Sequence, residues 1–510
     1  MGHREFAFVV SAFVMSVFSG RGGDGGDLLI RWGGGASPNM VSDARNLPAN
    51  PGSRAPLWEV KVGTHQYSIP TVDRGRIYMA TSDAAVQRPG YSPTTGGALT
   101  CVDQATGRLI WQFVSPRYMD GVIPPHHFDQ WRCGICSGPL VDGSRVYVIG
   151  NRGEILCLDQ DGQANGNDGP FVDELAYTGL TNAPGAPLLP TDGDIIWRFN
   201  LLAELGIIAH DVCGSTLLMV GDFLFACTSN GIDDRHDKIP APLAPTLIAL
   251  DKKTGRLVAK DDEQIGRRLL HGNWSSPSAG RVNGKTLVFF GGGDGILYAF
   301  EPPESSAEAG VRILKKVWSY DCNPPHYRTR DGQPVPYSTY GKNSPDGPSE
   351  IIGTPVFHDG RVYVAIGQSP IHGVGRGCLS CVDAATGRKV WDSQLVDRTT
   401  ATVSIAGGLL FIPDYSGHLH CFDAASGERL WVHDLEAKSW CASALVADGK
   451  VYAGTEANVL WVLKAAREKQ VLSRTPIKAA ATTPTAADGV LYVPTQRSLM
   501  AIPGTAGTGP

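Results

Sequence analysis

The sequence has few charged residues, and this shortage excludes several classes of protein. Charged residues make up 19% of the 510 residues, which is too few for a long coiled coil or a disordered chain. The formal net charge is −5, so no basic field is available for nucleic acid phosphates or an anionic membrane surface. The sequence also lacks a Gly-x-Ser-x-Gly elbow, a phosphate-binding loop and a zinc-protease helix motif. Nucleic acid is therefore an unexpected partner, and no familiar catalytic motif stands out.

Long apolar runs are equally scarce, and the one clear example is at the amino terminus. FAFVVSAFVMSVF, from Phe6 to Phe18, has the length of a signal-peptide core and is followed by the small residues Ser19 and Gly20. It is too short to cross a bilayer comfortably, and no later segment is long and apolar enough to be transmembrane. A buried N-terminal strand is the alternative. The pattern predicts a signal peptide over residues 1–20, an extension over 21–56, and a periplasmic or extracellular mature protein.

Glycine and proline are abundant, which favours many turns between short strands. The 62 glycines and 35 prolines together make 97 of the 510 residues. A chain of this length exceeds what one hydrophobic core fills, so it must contain several domains or structural repeats.

Internal repeats are visible as a hairpin motif. ALTCVDQATGRLIW from Ala98 and CLSCVDAATGRKVW from Cys378 share an apolar strand, an Asp, then Thr-Gly and a Trp. LIALDKKTGRLVA and GHLHCFDAASGERLW repeat the pattern. The Asp carboxylate is expected to bond the backbone of the turn, and the Gly to adopt the positive φ that closes it. The turn residues are Asp103, Asp251, Asp383 and Asp423 with Gly107, Gly255, Gly387 and Gly427.

A second motif, two strands around a tight turn, precedes the hairpins and occurs eight times. The last three copies follow at spacings of 48, 41 and 40 residues, near the length of a four-stranded propeller blade. The last copy lacks a fourth strand, while LWEVKV from Leu57 precedes the first copy without a hairpin of its own. The sequence therefore predicts an all-β, eight-bladed propeller over residues 57–503, closed by an N-terminal strand that completes the last blade. Residues 504–510 form a tail. Two stacked β-sandwiches are the rival architecture. The register positions of the eight copies are Pro70, Pro139, Thr216, Pro277, Pro355, Val403, Ala444 and Pro484.

The repeat, small-x-Asp-x-x-Thr-Gly-x-x-x-Trp, resembles the pyrroloquinoline quinone (PQQ) repeat. This repeat is shared by quinoprotein alcohol dehydrogenases and by the non-enzymatic scaffold lipoprotein of outer-membrane β-barrel assembly. WGGGASPNMVSDARNLP from Trp32 and ANGNDGPFVDE from Ala164 resemble segments of exported PQQ-repeat proteins of unassigned reaction. For a dehydrogenase, the resemblance implies adjacent cysteines over the quinone and a Glu, Asn and Asp set around Ca²⁺. No Cys-Cys pair is present in this sequence.

The 11 cysteines are mostly explained by packing. Cys101, Cys157, Cys381 and Cys421 occupy one repeat position, two residues before the turn Asp or its equivalent, where other blades carry Ala or Val. This position favours a small apolar side chain between packed sheets. A disulfide from a loop cysteine such as Cys133 or Cys322 stays open in an oxidising compartment.

Polar residues precede the innermost strands, so they should converge at one mouth of the channel. The long insertions at residues 80–97, 114–131, 228–246, 319–350 and 366–377 are loops that open on the same face, whereas 160–194 and 301–316 open on the other. These insertions carry several histidines, among them His126, His127, His236 and His372. We therefore expect this face to bind a small ligand or another envelope protein, as a binding scaffold. The candidate ligand-binding residues are His65, Arg132, His210, Asp211, His271, Asn273, Trp274, Glu350, Arg398 and Trp440.

An enzymatic role is the alternative hypothesis. A PQQ-dependent dehydrogenase for alcohols or sugars would stack the quinone on Trp274 or Trp440, hold Ca²⁺ with the mouth carboxylates, and use Asp211 or Glu350 as the base. Three histidines with one of these carboxylates are also a candidate transition-metal site. A hard-ligand cluster in the insertion at 160–194 is a weaker candidate for Ca²⁺, with a self-capped, turn-rich loop as the alternative. Its residues are Asp159, Asp161, Asn165, Asn167 and Asp168.

Overall fold

The eight predicted blades are present in the computed structural model, which describes residues 28–29, 39–117, 131–180, 187–211, 213–304, 310–339, 341–439 and 442–505. Each blade is an antiparallel sheet of four strands. The blades are numbered in chain order, and the strands of each blade are given from the innermost to the outermost. The predicted signal peptide lies outside the described residues, as do residues 506–510 of the tail. The structure is thus the all-β, eight-bladed propeller that the repeats predict.

The strands of the eight blades have the following bounds. Blade 1 contains Thr71–Asp73, Arg76–Ser82, Gly97–Asp103 and Leu109–Ser115; blade 2, Leu140–Asp142, Arg145–Gly150, Glu154–Asp159 and Ile195–Asn200; blade 3, Leu218–Val220, Phe223–Cys227, Leu247–Asp251 and Leu257–Lys260; blade 4, Ser278–Val282, Lys285–Gly291, Ile296–Glu301 and Lys315–Asp321. Blade 5 contains Val356–His358, Arg361–Ile366, Cys378–Asp383 and Lys389–Ser393; blade 6, Ser404–Ala406, Leu409–Pro413, His418–Asp423 and Arg429–Asp434; blade 7, Leu445–Ala447, Lys450–Thr455, Val459–Lys464 and Val471–Pro476; blade 8, Thr485–Ala487, Val490–Pro494, Ser498–Pro503 and Trp58–Lys61.

Short elements decorate this ring. The additional strands are Leu28–Leu29, Val41–Ser42, Arg312–Ile313, Thr329–Arg330 and Gln333–Pro334; the α-helices are Glu174–Tyr177, Leu201–Leu205 and Pro325–Arg328; and the 3₁₀ turns are Pro51–Ser53, Asp83–Ala85, Gly162–Asn165, Ile265–Arg268 and Pro370–His372. No helix in the described part of the chain is long and apolar enough to span a bilayer.

The hairpin motif forms the contact between neighbouring blades. In blade 1, the Thr106 amide and hydroxyl both donate to the Asp103 carboxylate, and Gly107 has a φ of +69°. Trp58 on the outermost strand of blade 8 packs against this turn, and its indole NH donates to the Gln104 carbonyl at 3.1 Å. The repeated Trp thus docks six of the eight blades onto the turn of the next blade, because the fourth strands of blades 3 and 7 carry no Trp. The same indole-to-carbonyl bond is made by Trp111, Trp197, Trp318, Trp391 and Trp431.

The repeat position occupied by Cys, Ala or Val on the third strand lies opposite the repeated Trp on the fourth strand. Cys101 pairs with Trp111, and Cys381 with Trp391, on adjacent strands. The ten described cysteines are all buried, including the loop residues Cys133 and Cys322. Burial raises the pKa of Cys101 to about 12, so its thiol stays protonated and inert. The cysteines of this repeat position are therefore packing residues.

The two ends of the propeller chain close the ring. Trp58–Lys61 pairs antiparallel with Ser498–Pro503, with Trp58 opposite Ala501. This pairing removes the edge that blade 8 would otherwise expose. The predicted N-terminal closing strand is confirmed.

Part of the N-terminal extension fills the channel. Val41–Ser42 pairs parallel with the innermost strand of blade 7. The side chain of Asn39 exchanges two hydrogen bonds with the Ile405 backbone of blade 6, and the Ser42 hydroxyl donates to the Ala486 carbonyl of blade 8 at 2.7 Å. The chain leaves beside the first turn of blade 7, where the Leu47 amide donates to Asp448. This turn is on the face opposite the long loops, so the segment from Asn39 to Leu47 runs through the channel from the side of the looped mouth towards that opposite face.

Candidate functional site at the looped mouth

Three chain segments from blades 3 and 4 are joined by backbone hydrogen bonds at the looped mouth. The His210 amide donates to the Ser229 carbonyl at 3.1 Å, and the Ile232 amide donates to the His271 carbonyl at 3.0 Å. Gly231 lies between them, and a β-carbon there would come within 2.5 Å of the His210 Cβ. The approaches to two innermost strands and the loop at 228–246 are thereby held in one arrangement.

Four imidazoles meet at this junction. The centroid of the His210 ring lies 4.5 Å from that of His271 and 4.8 Å from that of His236, and His236 lies 5.1 Å from His271. His372, from the loop at 366–377 in blade 5, lies 4.8 Å from His271. His210, His271 and His372 are buried, and His236 is half-buried at the outer side. Burial lowers the pKa of His210, His271 and His372, so their imidazoles are neutral at pH 7.

A buried carboxyl group adjoins the histidines. Glu350 precedes the innermost strand of blade 5, and its Oε1 lies 3.8 Å from His271 Nδ1. The Tyr337 hydroxyl, from the loop at 319–350, donates to the same oxygen at 2.8 Å. Burial raises the pKa of Glu350 to about 7, so this carboxyl group can hold or release a proton near neutral pH.

Arg398 holds the loop that covers the carboxyl group. It is 1% exposed and donates to the Ser344 carbonyl and the Ser349 hydroxyl. A β-carbon on Gly375 would come within 2.5 Å of the Arg398 guanidinium, so this loop also packs closely on it. Arg398 therefore joins the insertions of blades 4 and 5 at the mouth.

Other sequence-predicted residues have different surroundings. The Asn273 amide is taken up by the backbone, because it donates to the Asn230 carbonyl and accepts from the Gly293 amide. The Trp274 indole NH donates to the His210 carbonyl at 3.3 Å, and Asp211 lies beside His210 with a φ of +56°. His65 bonds Thr64 in blade 1, outside the histidine cluster. Arg132 is exposed in the approach to blade 2, and Trp440, His126 and His127 lie outside the described residues.

Sequence reasoning did not include His236, His372 and Tyr337 among the candidate ligand-binding residues. The available signal was their position on insertions at 228–246, 319–350 and 366–377, which all open on this mouth. These insertions are far apart in the sequence, so no short sequence motif could have connected the three residues. The closeness of His236 to His210 depends on the backbone pairing described above.

The acidic residues in and beside the insertion at 160–194, on the opposite face, are bonded to one another and to arginines on strands of blades 1 and 2. Asp159 pairs with Arg145, and Asp161 with Arg76. The Asn165 amide donates to Asp168 at 3.1 Å, and the Asn167 amide donates to Glu174 at 2.9 Å. The side chains of Asp159, Asp161, Asn165, Asn167 and Asp168 are therefore all bonded within the protein.

Comparison with known proteins agrees with this architecture. The family model described as outer membrane protein assembly factor BamB matches residues 315–440 and 375–508. No curated protein matches the sequence.

Solved structures share the fold at low identity. BamB from Moraxella catarrhalis is 16% identical with a TM-score of 0.53, over 88% of this chain and 99% of that one. A europium-containing methanol dehydrogenase is 13% identical with a TM-score of 0.57, over 91% and 89%. The quinohemoprotein alcohol dehydrogenase ADHIIG from Pseudomonas putida is 12% identical with a TM-score of 0.54, over 92% and 79%. The repeat match over residues 315–508 and the closed ring of eight blades together show that the chain has the fold of a PQQ-like repeat β-propeller.

Proposed function

We propose that this propeller is an exported protein that binds a small ligand in the recess at its looped mouth. The observation that carries the proposal is a group of buried polar atoms without a hydrogen-bond partner among the described residues. They are His210 Nε2, His271 Nε2, Glu350 Oε2 and Arg398 Nη1. The signal peptide predicted at residues 1–20 supports export.

Such atoms are costly to bury, which favours a ligand at this place. Each unsatisfied buried donor or acceptor costs about 1–3 kcal/mol, and most buried polar groups in native proteins are paired. The four atoms belong to the approaches of blades 3 to 6 and lie at one end of the molecule. A polar ligand entering beside half-buried His236 would supply the missing bonds.

A PQQ-dependent dehydrogenase fits these residues less well. Imidazole nitrogens, which Ca²⁺ disfavours, take the place of a carboxylate-rich set, and the Asn273 amide is already bonded to backbone. Gly272 packs against the ring of Trp274, and imidazoles lie with centroids 5.4 and 6.0 Å from it, which restricts the space for a stacked quinone. We therefore derive no catalytic step through PQQ.

A protein-binding scaffold is the second candidate function. Large apolar side chains are exposed on loops of the looped face, with Trp131 53%, Ile371 56% and Val374 57% exposed. Exposed apolar groups around a polar recess are typical of partner surfaces. One of the structural neighbours is BamB, whose name records a role in outer membrane protein assembly.

Native mass spectrometry of the mature protein tests the proposal. The protein is incubated with the low-molecular-mass fraction of an extract of its source cells and, separately, with PQQ and Ca²⁺. We expect a one-to-one adduct from the extract that is lost in Glu350→Gln and retained in Glu304→Gln, a change at an exposed residue of the loop at 301–316, which opens on the opposite face. An adduct that survives Glu350→Gln, or no adduct at all, would exclude the mouth as a site for an organic ligand and favour the scaffold. A PQQ adduct that requires Ca²⁺ would favour the dehydrogenase.

A further inference from the structure

We propose that His210, His236 and His271 bind one divalent transition-metal ion through their Nε2 atoms. This inference rests on the proposed ligand-binding role of the mouth and names the class of ligand. One ligating nitrogen from each residue lies within 4.8 Å of the others. Imidazole suits ions such as Zn²⁺ and Cu²⁺, in contrast to the oxygen ligands that Ca²⁺ and Mg²⁺ prefer.

Hydrogen bonds to backbone carbonyls fix the tautomers of two of these histidines. His210 Nδ1 lies 2.9 Å from the Ile232 carbonyl oxygen, and His236 Nδ1 lies 3.1 Å from the Asp234 carbonyl oxygen. A carbonyl oxygen can only accept, so the proton of each neutral ring must be on Nδ1. The lone pair of each ring is then on Nε2, which is the nitrogen that can bind a metal ion.

A hydrogen bond from His271 to His372 fixes the tautomer of the third metal-binding histidine, His271. His372 Nδ1 lies 3.0 Å from the Gly341 carbonyl oxygen, so it carries the proton and leaves His372 Nε2 as an acceptor. His372 Nε2 lies 3.1 Å from His271 Nδ1, which must therefore donate. The lone pair of His271 is then also on Nε2. His372 acts as a positioning residue, in the way that second partners orient metal-binding histidines.

The two innermost nitrogens have no other use in the described structure. His210 and His271 are 2% and 3% exposed, and the Nε2 of each has no hydrogen-bond partner. Asp211 Oδ2 lies 3.5 Å from His210 Nε2, close enough to serve a bound ion or its water. The half-buried His236 completes the set from the solvent side. Three nitrogen ligands with an open fourth position is the arrangement of zinc sites that keep one coordination position for water or a substrate.

A second group, Asp414 with His418 and His420, serves as an internal comparison. His420 Nε2 lies 2.7 Å from one Asp414 oxygen, and the His418 amide donates to the other at 3.1 Å. The carboxylate is thus already bonded on both oxygens. We expect this group to bind metal weakly or not at all.

Calorimetric titration of the metal-free mature protein with Zn²⁺ tests the inference, with Co²⁺ absorption as a second readout of tetrahedral nitrogen coordination. We expect one ion per chain, and a loss of affinity of about tenfold or more in His236→Ala. His236 is half-buried, so the metal-free variant should keep the melting temperature of the parent. His418→Ala is the matched control and should leave binding unchanged.

His372 gives a separate test of the proposed geometry. His372→Phe should weaken Zn²⁺ binding by about 10- to 100-fold, and His372→Gln, which retains an acceptor for His271 Nδ1–H, should recover part of the loss. Absence of one-to-one binding, or binding that is lost in His418→Ala and kept in His236→Ala, would overturn the metal site. If the extract adduct then persists, the proposed function stands without the metal. If Zn²⁺ binds while the extract gives no adduct, the metal site stands and the organic ligand is excluded.

Discussion

At the scale of single residues, burial decides which polar groups change protonation. Asp194 is fully buried in blade 2, where it accepts hydrogen bonds from the Gln163 side chain and the Asp168 amide. Burial, reinforced by the nearby carboxylate of Glu174, raises the pKa of Asp194 to about 7. A carboxyl group raised in this way favours the folded state when protonated. Its contribution to stability is full below the unfolded pKa near 4 and is lost as the pH rises through 7.

Replacement of Asp194 by Asn should therefore change the pH dependence of stability. We expect the free energy of unfolding of Asp194→Asn to rise relative to the parent as the pH increases from 5 to 8, because the parent then buries a charge. Urea unfolding midpoints at the two pH values measure the difference. Asp173→Asn, in an exposed part of the same insertion, should follow the parent. A constant offset between Asp194→Asn and the parent would contradict the assigned pKa.

At the scale of the element, the turn between the third and fourth strands is the unit that joins one blade to the next. Gly387 has a φ of +69°, and a β-carbon there would lie 2.7 Å from ring atoms of Trp318, which extends from blade 4. Gly360, in the first turn of blade 5, has a φ of +72° with no atom within 4 Å of the same position. Both glycines therefore need a positive φ, but only Gly387 packs against an indole ring.

This pair separates backbone strain from blade packing. Gly360→Ala should cost about 1–2 kcal/mol from the left-handed backbone alone. Gly387→Ala should cost a further 1–3 kcal/mol or so, because the methyl group displaces Trp318. Denaturant unfolding of both variants gives the two values. Equal losses would show that the Trp contact contributes nothing to the junction.

At the scale of the whole molecule, two N-terminal segments hold the ring together. Trp58–Lys61 completes blade 8, and the segment before it crosses the channel with Met40 fully buried and Leu47 2% exposed. Burying side chains of this size contributes about 1.5–3 kcal/mol each. The closing strand has a different role, since its loss would expose the edge of Ser498–Pro503.

Two truncations should distinguish these roles. A chain that begins at residue 50 loses the channel segment, and we expect it to fold as a closed ring with stability lower by roughly 3–6 kcal/mol. A chain that begins at residue 63 also loses the closing strand and should lose cooperative unfolding and self-associate through the open edge. Calorimetry and size-exclusion chromatography report both outcomes. Cooperative, monomeric behaviour of the shorter chain would show that the strand is dispensable.

The sequence by itself determined the ring, because the features that build it are local and repeated. The Asp carboxylate bonds a turn three residues away, as at Asp103 and Thr106, and every copy of the motif reports the same hairpin. The orphan strand at Trp58 was enough to predict closure. The mouth was also predicted in outline, since His210, His271 and Glu350 each precede an innermost strand.

Only the tertiary structure decided which mouth residues meet. His236 and His372 join the cluster because their loops cross between blades, and no periodicity records where a long insertion folds back. The structure likewise showed that the Asn273 amide is taken up by backbone groups, although its position had suggested a ligand contact. A repeat determines the contacts that it makes with the next repeat along the chain. A site assembled from four blades depends on distances that only packing sets.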